Sequence, residues 1–325
     1  MELGSDFLWG VRSGEADLSN QIQDYITSLR VSDEPGLFSD SFEMRFANPQ
    51  GKLLELPEIG QVLEISIGRD EKLVMGSYAV DEIALEGPTS TMLVRGQSAD
   101  FAPSLKSQKN HKWNKVELPV ILESIAARNG LRAKIASEFN GIQVDQLDQN
   151  FESDMNILTR LADDYGAVAK PANGFLIFSK RGSGKSVEGR PLPAVSLKKE
   201  DVLGWRYERQ NREIFKRVGA YYHPHKSKKS EFVYVGEGVP MCYCRHPFKD
   251  ASAARSAATA KMDAINRAQE KLSVQMIGSA FVVAEAPIAI SDFHSEIDGK
   301  WIVTRADHTI SSSGYTTSAE LCRPT

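Results

Sequence analysis

The sequence has little cysteine: Cys242, Cys244 and Cys322 are the three in 325 residues. An odd count without the spacing of a stapled scaffold argues against a disulfide-built secreted domain and fits synthesis in a reducing cytoplasm. Long apolar runs are also missing. The longest, such as Phe281–Val283, are strand-sized, far below the ~18 to 20 residues of a membrane-crossing helix, so no membrane span is expected. The amino terminus carries Glu2 and Asp6 where a secretory leader would be basic, and export by that route is not expected. Positive charge is not in excess: 39 Lys and Arg stand against 43 Asp and Glu, for a net charge of -4. Without an overall basic field to hold phosphates, stable nucleic-acid binding is not expected.

What is present is enough apolar material, 41% of the residues, to bury a sizeable core in two or three domains. From Ala16 to about Leu105 the pattern has period two. Alternating runs at Ser28–Ser32, Phe42–Phe46, Val62–Gly68, Gly76–Ile83 and Thr91–Arg95 are cut by turns at Asp33–Gly36 and Asn48–Gly51, as in a small barrel or sandwich. After Trp113 the period becomes helical: Leu118, Ile121, Leu122, Ile125 and Ala126 share a face, and Asn129-Gly130 supplies a stop. Ser153 is a good N-cap for a second helix stacking Leu158, Leu161, Ala162 and Tyr165 before Gly166. Asn173-Gly174 closes a hairpin between Ala167–Lys170 and Phe175–Lys180. Arg181–Pro193 reads as an exposed connection, and Val218–Tyr222 and Phe232–Val235 as strands flanking a cationic tip at His225–Lys229. Asp250 caps a long helix whose stripe runs from Ala254 through Met262 and Leu272 to Met276. Strands at Ala280–Glu285, Lys300–Asp307 and Tyr315–Cys322 follow.

The chain is therefore read as mainly β with an α+β insert. Two barrel-like β domains, 1–105 and 201–325, flank an α+β region at 106–200, and the second carries a long helix at about 250–277.

The segment Gln149-Asn150-Phe151-Glu152-Ser153-Asp154, followed by Leu158, Arg160, Leu161 and Gly166, resembles the signature of the phage late control protein D family. These are contractile-tail baseplate hub proteins, related to the N-terminal hub part of type VI secretion spike proteins. The resemblance spans nearly the whole chain: Gly76–Asp81, Ser98–Phe101, Trp113, Ile125–Leu131, Gly189–Pro193, Arg245-His246 and Gly299–Arg305 with Trp301 fall in family order. It marks Glu152, Ser153, Asp154, Leu158, Arg160, Leu161, Gly166 and Trp301 as family-motif structural residues. It implies a tail hub-like homotrimer in which duplicated barrels adapt a sixfold tail tube, or tube-initiator protein, above to a threefold tail spike protein below, with other baseplate proteins around. Since the sequence ends at Thr325 without a β-helical needle, a separate spike protein is expected. The place implied is the tail of a phage or tailocin, assembled in the host bacterial cytoplasm. A type VI-like delivery adaptor is one alternative.

Groupings with chemical potential are weighed against plainer readings. Gly182–Ser186 looks like a phosphate loop, but Ser179 stands where the first glycine should be and Gly189, Pro191 and Pro193 follow in place of a helix. Cys242, Cys244 and His246 would share one face of a strand, with His223 and His225 nearby, yet Cys-x-Cys is not zinc-knuckle spacing; they are low-ranked metal candidates and ordinary strand residues are preferred. His294 or His308 with Asp298 or Asp307 lacks a nucleophile elbow. Glu152 with Asp154, or Asp163 with Asp164, could be a glycosidase pair, and a peptidoglycan-degrading tail enzyme is the alternative from another class; a helix cap and a solvated helix end explain them without catalysis. Trp113 is expected to pack and not to stack on a base, and the Lys226–Lys229 run to be a solvated loop. No catalytic, cofactor-binding or metal residue is assigned and no cofactor is expected: the protein is read as structural and not an enzyme.

Overall fold

The computed structural model describes residues 7–36, 40–47, 55–88, 90–100, 103–209, 215–224 and 229–324. The turn expected at Asn48–Gly51 and the His225–Lys228 part of the cationic tip lie outside these residues. Contacts group the chain into two compact units, each built from separated segments. Residues 1–101, 193–206 and 273–321 form the first, and 102–192, 207–272 and 322–325 the second. The last third of the chain is divided between the units.

The protein is mainly β, and the sheet of the first unit curls into a half-barrel. Its 13 strands have a simple plan. Ile26–Asp33 pairs antiparallel with Gly299–Ser311, setting His308 opposite Val31 and Ile310 opposite Leu29. Every strand from before residue 101 lies on one side of this seam: Ser41–Ala47, Thr91–Ser98, Leu73–Glu86, Val62–Gly68, Leu8–Ser13 and Ala16–Asp17 in that order. Strands from after residue 193 lie on the other: Gly314–Cys322, Glu270–Ile277 and Val202–Arg209 in order, with Pro287–Ser291 and Val195–Lys198 branching from Gly299–Ser311. Period-two alternation fills the concave side, where Leu29, Val31, Phe42, Met44, Ile65 and Tyr78 are buried and Ile310 and Tyr315 join them from the far end of the chain. Each such side chain contributes about 1.5–3 kcal/mol on burial.

The seam is polar on one face and dry on the other. Asp307 accepts a hydrogen bond from Ser32 Oγ, pairs with Arg30 at 3.1 Å and takes Arg305 Nε at 3.1 Å. Burial opposes ionisation of Asp307, but the Ser32 hydroxyl and the Arg30 and Arg305 charges outweigh it and hold the carboxyl below its ordinary range. The next residue, His308, is wholly buried on the opposite face. Its Nε2–H donates to the Val282 carbonyl at 3.1 Å, because a carbonyl can only accept, which leaves Nδ1 to accept from Tyr315 and Thr317 hydroxyls at 3.0 and 3.1 Å. Asp307 and His308 therefore point apart and form no acid–base pair.

The second unit has smaller sheets and the long helices. Gln108–Glu117 pairs with Gln143–Ser153, and helix Leu118–Arg128 follows the first of these strands. Helix Asp154–Tyr165 begins with Ser153 Oγ accepting the Asn156 N–H at 3.2 Å and ends at Gly166, whose left-handed φ of 62° and closeness to Ala260 both favour glycine. The Asn173-Gly174 hairpin joins Ala167–Ala172 to Phe175–Lys180, beside which Arg132–Ile135 lies parallel. A third sheet, with Arg217–Tyr222 between Glu231–Gly236 and Met241–Tyr243, buries Val218, Ala220 and Val233 against Ala254, Ala257 and Ala258 of helix Ala251–Arg267.

Two expected elements are corrected. The long helix stops at Arg267, and Glu270–Ile277 is a strand. Leu272 and Met276 fit a helical stripe, but with Val274 they also alternate at period two, and all three are buried in that alternation while Lys271, Ser273 and Gln275 are exposed. Residues 280–285 form no strand; the strand lies at Pro287–Ser291, and Val282 is instead where His308 anchors.

Burial holds the His308 pKa below the ordinary 6.5, partly offset by the charges of Asp33 and Asp307 and the bond to Val282, so the native state carries it neutral. The unfolded chain then binds more protons as pH falls through about 6.5 toward the lower folded value, and stability drops across that window. Urea unfolding from pH 7.5 to 5 should show this loss, and His308→Gln, which keeps an N–H for Val282 but does not titrate, should flatten the slope. An unchanged slope would remove His308 as its source.

Candidate functional site

The motif Gln149–Asp154 occupies the end of one strand and the first residue of a helix. Between Gln149 and Glu152 the register with the Gln108–Glu117 strand slips, leaving Asn150 and Phe151 as a bulge. Phe151 takes φ 46°, unusual for a bulky side chain, and stands 75% exposed, its N–H donated to Asn110 Oδ1 at 2.8 Å. Three residues on, Asp154 is fully buried.

A buried carboxylate must be paired and hydrogen-bonded. Asp154 accepts from Lys109 Nζ at 2.6 Å, Arg128 Nε at 2.9 Å, Asn129 Nδ2 at 2.7 Å and Gln149 Nε2 at 2.9 Å, with a further bond from Arg128 Nη2. Gln149, itself buried, donates also to the Glu152 carbonyl at 2.8 Å and accepts from Arg128 at 2.9 Å, which ties the bulge to the cluster. Desolvation pushes the Asp154 pKa up, but the hydrogen bonds from Lys109, Asn129 and Gln149 and the charge of Arg128 prevail, and it lies below the ordinary 3.8. Trp113 is buried nearby: its Nε1–H reaches Ser124 Oγ at 3.3 Å, and Arg128 stands 5.3 Å from its ring. It packs and offers no open ring face to a base.

The other motif residues extend outward. Arg160 Nη2 binds Glu152 Oε2 at 2.9 Å and the Asp148 carbonyl at 3.1 Å; Leu158 and Leu161 are buried beneath the helix. Trp301 belongs to the first unit, where it is fully buried and donates to the Ile297 carbonyl at 2.7 Å. The motif set is thus divided between two places in the chain.

Beside Arg160, an open groove of about 690 Å³ lies between helices Asp154–Tyr165 and Ala251–Arg267. Ala257, Ala260 and Gly166 give it a low floor. Arg181 and Asp163 meet at 3.4 Å on its rim, and Lys261 donates to the Tyr243 carbonyl at 2.6 Å. Burial raises the Asp164 pKa, with His246 and Arg160 pulling the other way.

Candidate chemistry elsewhere resolves into structural roles. Cys244 is buried and Cys242 half-buried in the apolar layer under helix Ala251–Arg267, and Cys244 and exposed His246 both border the groove. Burial raises the Cys244 thiol pKa, and among the described residues no three His, Cys, Asp or Glu side chains converge as a metal-binding set. Gly182–Ser186 opens no helix; Lys185 bridges back to Pro191 in a turn. His294 accepts the Glu296 N–H at 3.3 Å and Asp298 the Phe293 N–H at 3.0 Å, both closing one loop. His223 lies 3.4 Å from Ser230 Oγ. Sequence reading missed Lys109, Arg128, Asn129 and Gln149 as partners of Asp154. Gln149, inside the motif, and Arg128 and Asn129, inside the family landmark Ile125–Leu131, carried a signal as residues but not as partners; nothing in spacing links Lys109 to a residue 45 positions away.

Comparison with known proteins places this geometry. A family model described as phage tail baseplate hub (GPD) matches residues 59–314. A probable baseplate hub protein of Escherichia phage 186 is 29% identical over a 350-residue alignment covering 94% of this chain and 90% of the relative. Among solved structures, a 43 kDa tail protein of prophage MuSo2 from Shewanella oneidensis superposes with TM-score 0.75 at 14% identity, over 98% of each chain. An E. coli type VI secretion system component superposes with TM-score 0.61 at 12% identity, over 91% of this chain and 73% of its own.

Asp154→Asn leaves Arg128 and Lys109 without their counter-charge and should cost about 3–5 kcal/mol in urea unfolding at pH 7. The depressed pKa means the Asp154 contribution is complete above about 4 and is lost as pH falls through the folded value. The wild type should therefore lose stability in acid more steeply than the variant; parallel curves would show that Asp154 carries no such coupling.

Proposed function

Because the chain belongs to the phage tail baseplate hub (GPD) family and is a baseplate hub protein of a phage tail, we propose that it works as a homotrimer joining the sixfold tail tube to the threefold spike. The family match over residues 59–314 carries this reading. The sheet plan supports it: strands from before residue 101 and from after residue 193 sort to opposite sides of one seam, as two modules would. With residues 1–105 and 201–325 each supplying a barrel-like module and 106–200 between them, three copies set six similar modules around an axial channel, offering near-sixfold symmetry to the tube and threefold symmetry to the spike.

The work of such a hub is mechanical. It holds a separate spike during assembly, keeps the axial path sealed at rest, and travels with tube and spike on contraction. The protein is assembled into the tail in the host cytoplasm. No catalytic step is part of this reading: of the carboxylates that could suggest one, Asp154 is held by its five donor contacts, Glu152 by Arg160 and Asp163 by Arg181.

Sedimentation velocity of the purified protein, alone and mixed with the spike protein of the same phage, tests both contacts. A species near three times the 35.9 kDa chain mass, resistant to dilution and shifting further with spike, is expected. A monomer at every concentration, with or without spike, would overturn the proposal. Purified protein should leave a peptidoglycan suspension turbid; clearing abolished by Glu152→Gln would favour the lytic alternative instead.

A further inference from the structure

The groove between helices Asp154–Tyr165 and Ala251–Arg267 inverts the charge balance of the chain. The whole protein is net negative by 4, yet five Lys and Arg side chains line the groove against three carboxylates. Two of those carboxylates are engaged, Glu152 by Arg160 at 2.9 Å and Asp163 by Arg181 at 3.4 Å. The surplus comes from the other side, where exposed Arg245 adjoins His246, and Lys261, after giving one N–H to the Tyr243 carbonyl, keeps two more.

Shape points the same way. The floor is made of Ala257, Ala260, Ala264 and Gly166, so nothing tall prevents an extended backbone from lying along it. A volume of about 690 Å³ suits several residues rather than one small anion. Exposed Asn156 and Thr159 add polar side chains along one wall. The carboxylates Glu152, Asp163 and Asp164 oppose a polyphosphate carrying charge at every unit, whereas a peptide can place its carboxylates against the guanidinium groups and its neutral backbone beside the acids.

We propose that this groove is a docking site for an extended acidic segment, rich in Asp and Glu, of a partner protein. That the partner is another tail subunit rests on the hub reading; the preference for carboxylates does not, and it requires no threefold assembly.

The test uses the full-length protein and a fluorescein-labelled octapeptide of alternating Glu and Ser, followed by anisotropy at low salt. Saturable binding is expected, displaced by the unlabelled Glu-Ser peptide but not by its Lys-Ser counterpart. It should weaken at least about tenfold when ionic strength rises to about 0.3 M, where exposed charge pairs are screened. Arg245→Glu and Arg181→Glu should each weaken binding about tenfold with unchanged circular dichroism, while Lys199→Glu, the same charge change outside the groove, should leave it unaltered. Absence of saturable binding, equal weakening by all three substitutions, or tighter binding of a DNA oligonucleotide of matched charge would each overturn the proposal. Failure here with a trimer in sedimentation would sink the groove and leave the hub reading standing; the reverse result would do the opposite.

Discussion

Burying one carboxylate sets much of the second unit. Asp154 is wholly removed from water at the start of a helix, and its charge is tolerable only because two cations and two side-chain amides converge on it. The donors come from the Gln108–Glu117 strand, the end of helix Leu118–Arg128 and the Gln143–Ser153 strand, so satisfying one charge fixes four elements relative to each other. The bulge that displays Phe151 and the position of Arg160 at the groove both follow from that fixation. An apolar core of equal size would hold these elements together less selectively, because dispersion contacts tolerate sliding and a five-contact ionic cluster does not.

Sequence patterns revealed elements whose periodicity has a single interpretation. Leu118 through Ala126 can share a face only in a helix, Ser153 and Gly166 are matched caps, and Asn173-Gly174 is a hairpin turn wherever flanking residues can pair. Ambiguity entered where two periods coincide. Leu272 and Met276 stand four apart, a spacing shared by one helical turn and two strand repeats, and only neighbours across the sheet decide between them. The motif residues were legible through family likeness, as were the segments that hold Gln149, Arg128 and Asn129, while the pairing between them was not. Lys109 and Arg128 are reached through folding, and no local pattern announces that two surface-type cations will meet over a buried acid. Grouping of the chain was hidden for a related reason: pattern changes mark where local structure alters, but Ile26–Asp33 and Gly299–Ser311 are complementary only once both exist.

The two units are built from different kinds of element. The curled sheet offers a continuous hydrogen-bonded ladder, stiff along its strands, whose dry side is filled by Leu29, Phe42 and Tyr78 and whose seam is reinforced by the Asp307 ion pairs. The second unit offers short sheets, helices and an open groove, elements better suited to making specific contacts than to bearing tension.

The seam also bears on how the polypeptide is made. Ser32 and Asp307 are 275 residues apart, so on the ribosome the early strands emerge long before the one that covers Ile26–Asp33. At about 5–20 residues per second, that edge stays open for roughly a quarter of a minute to a minute, a nascent chain with a bare strand edge and half a core. Residues 102–192 lie wholly inside the second unit and emerge during this interval, so the chain begins its second unit before the first can close.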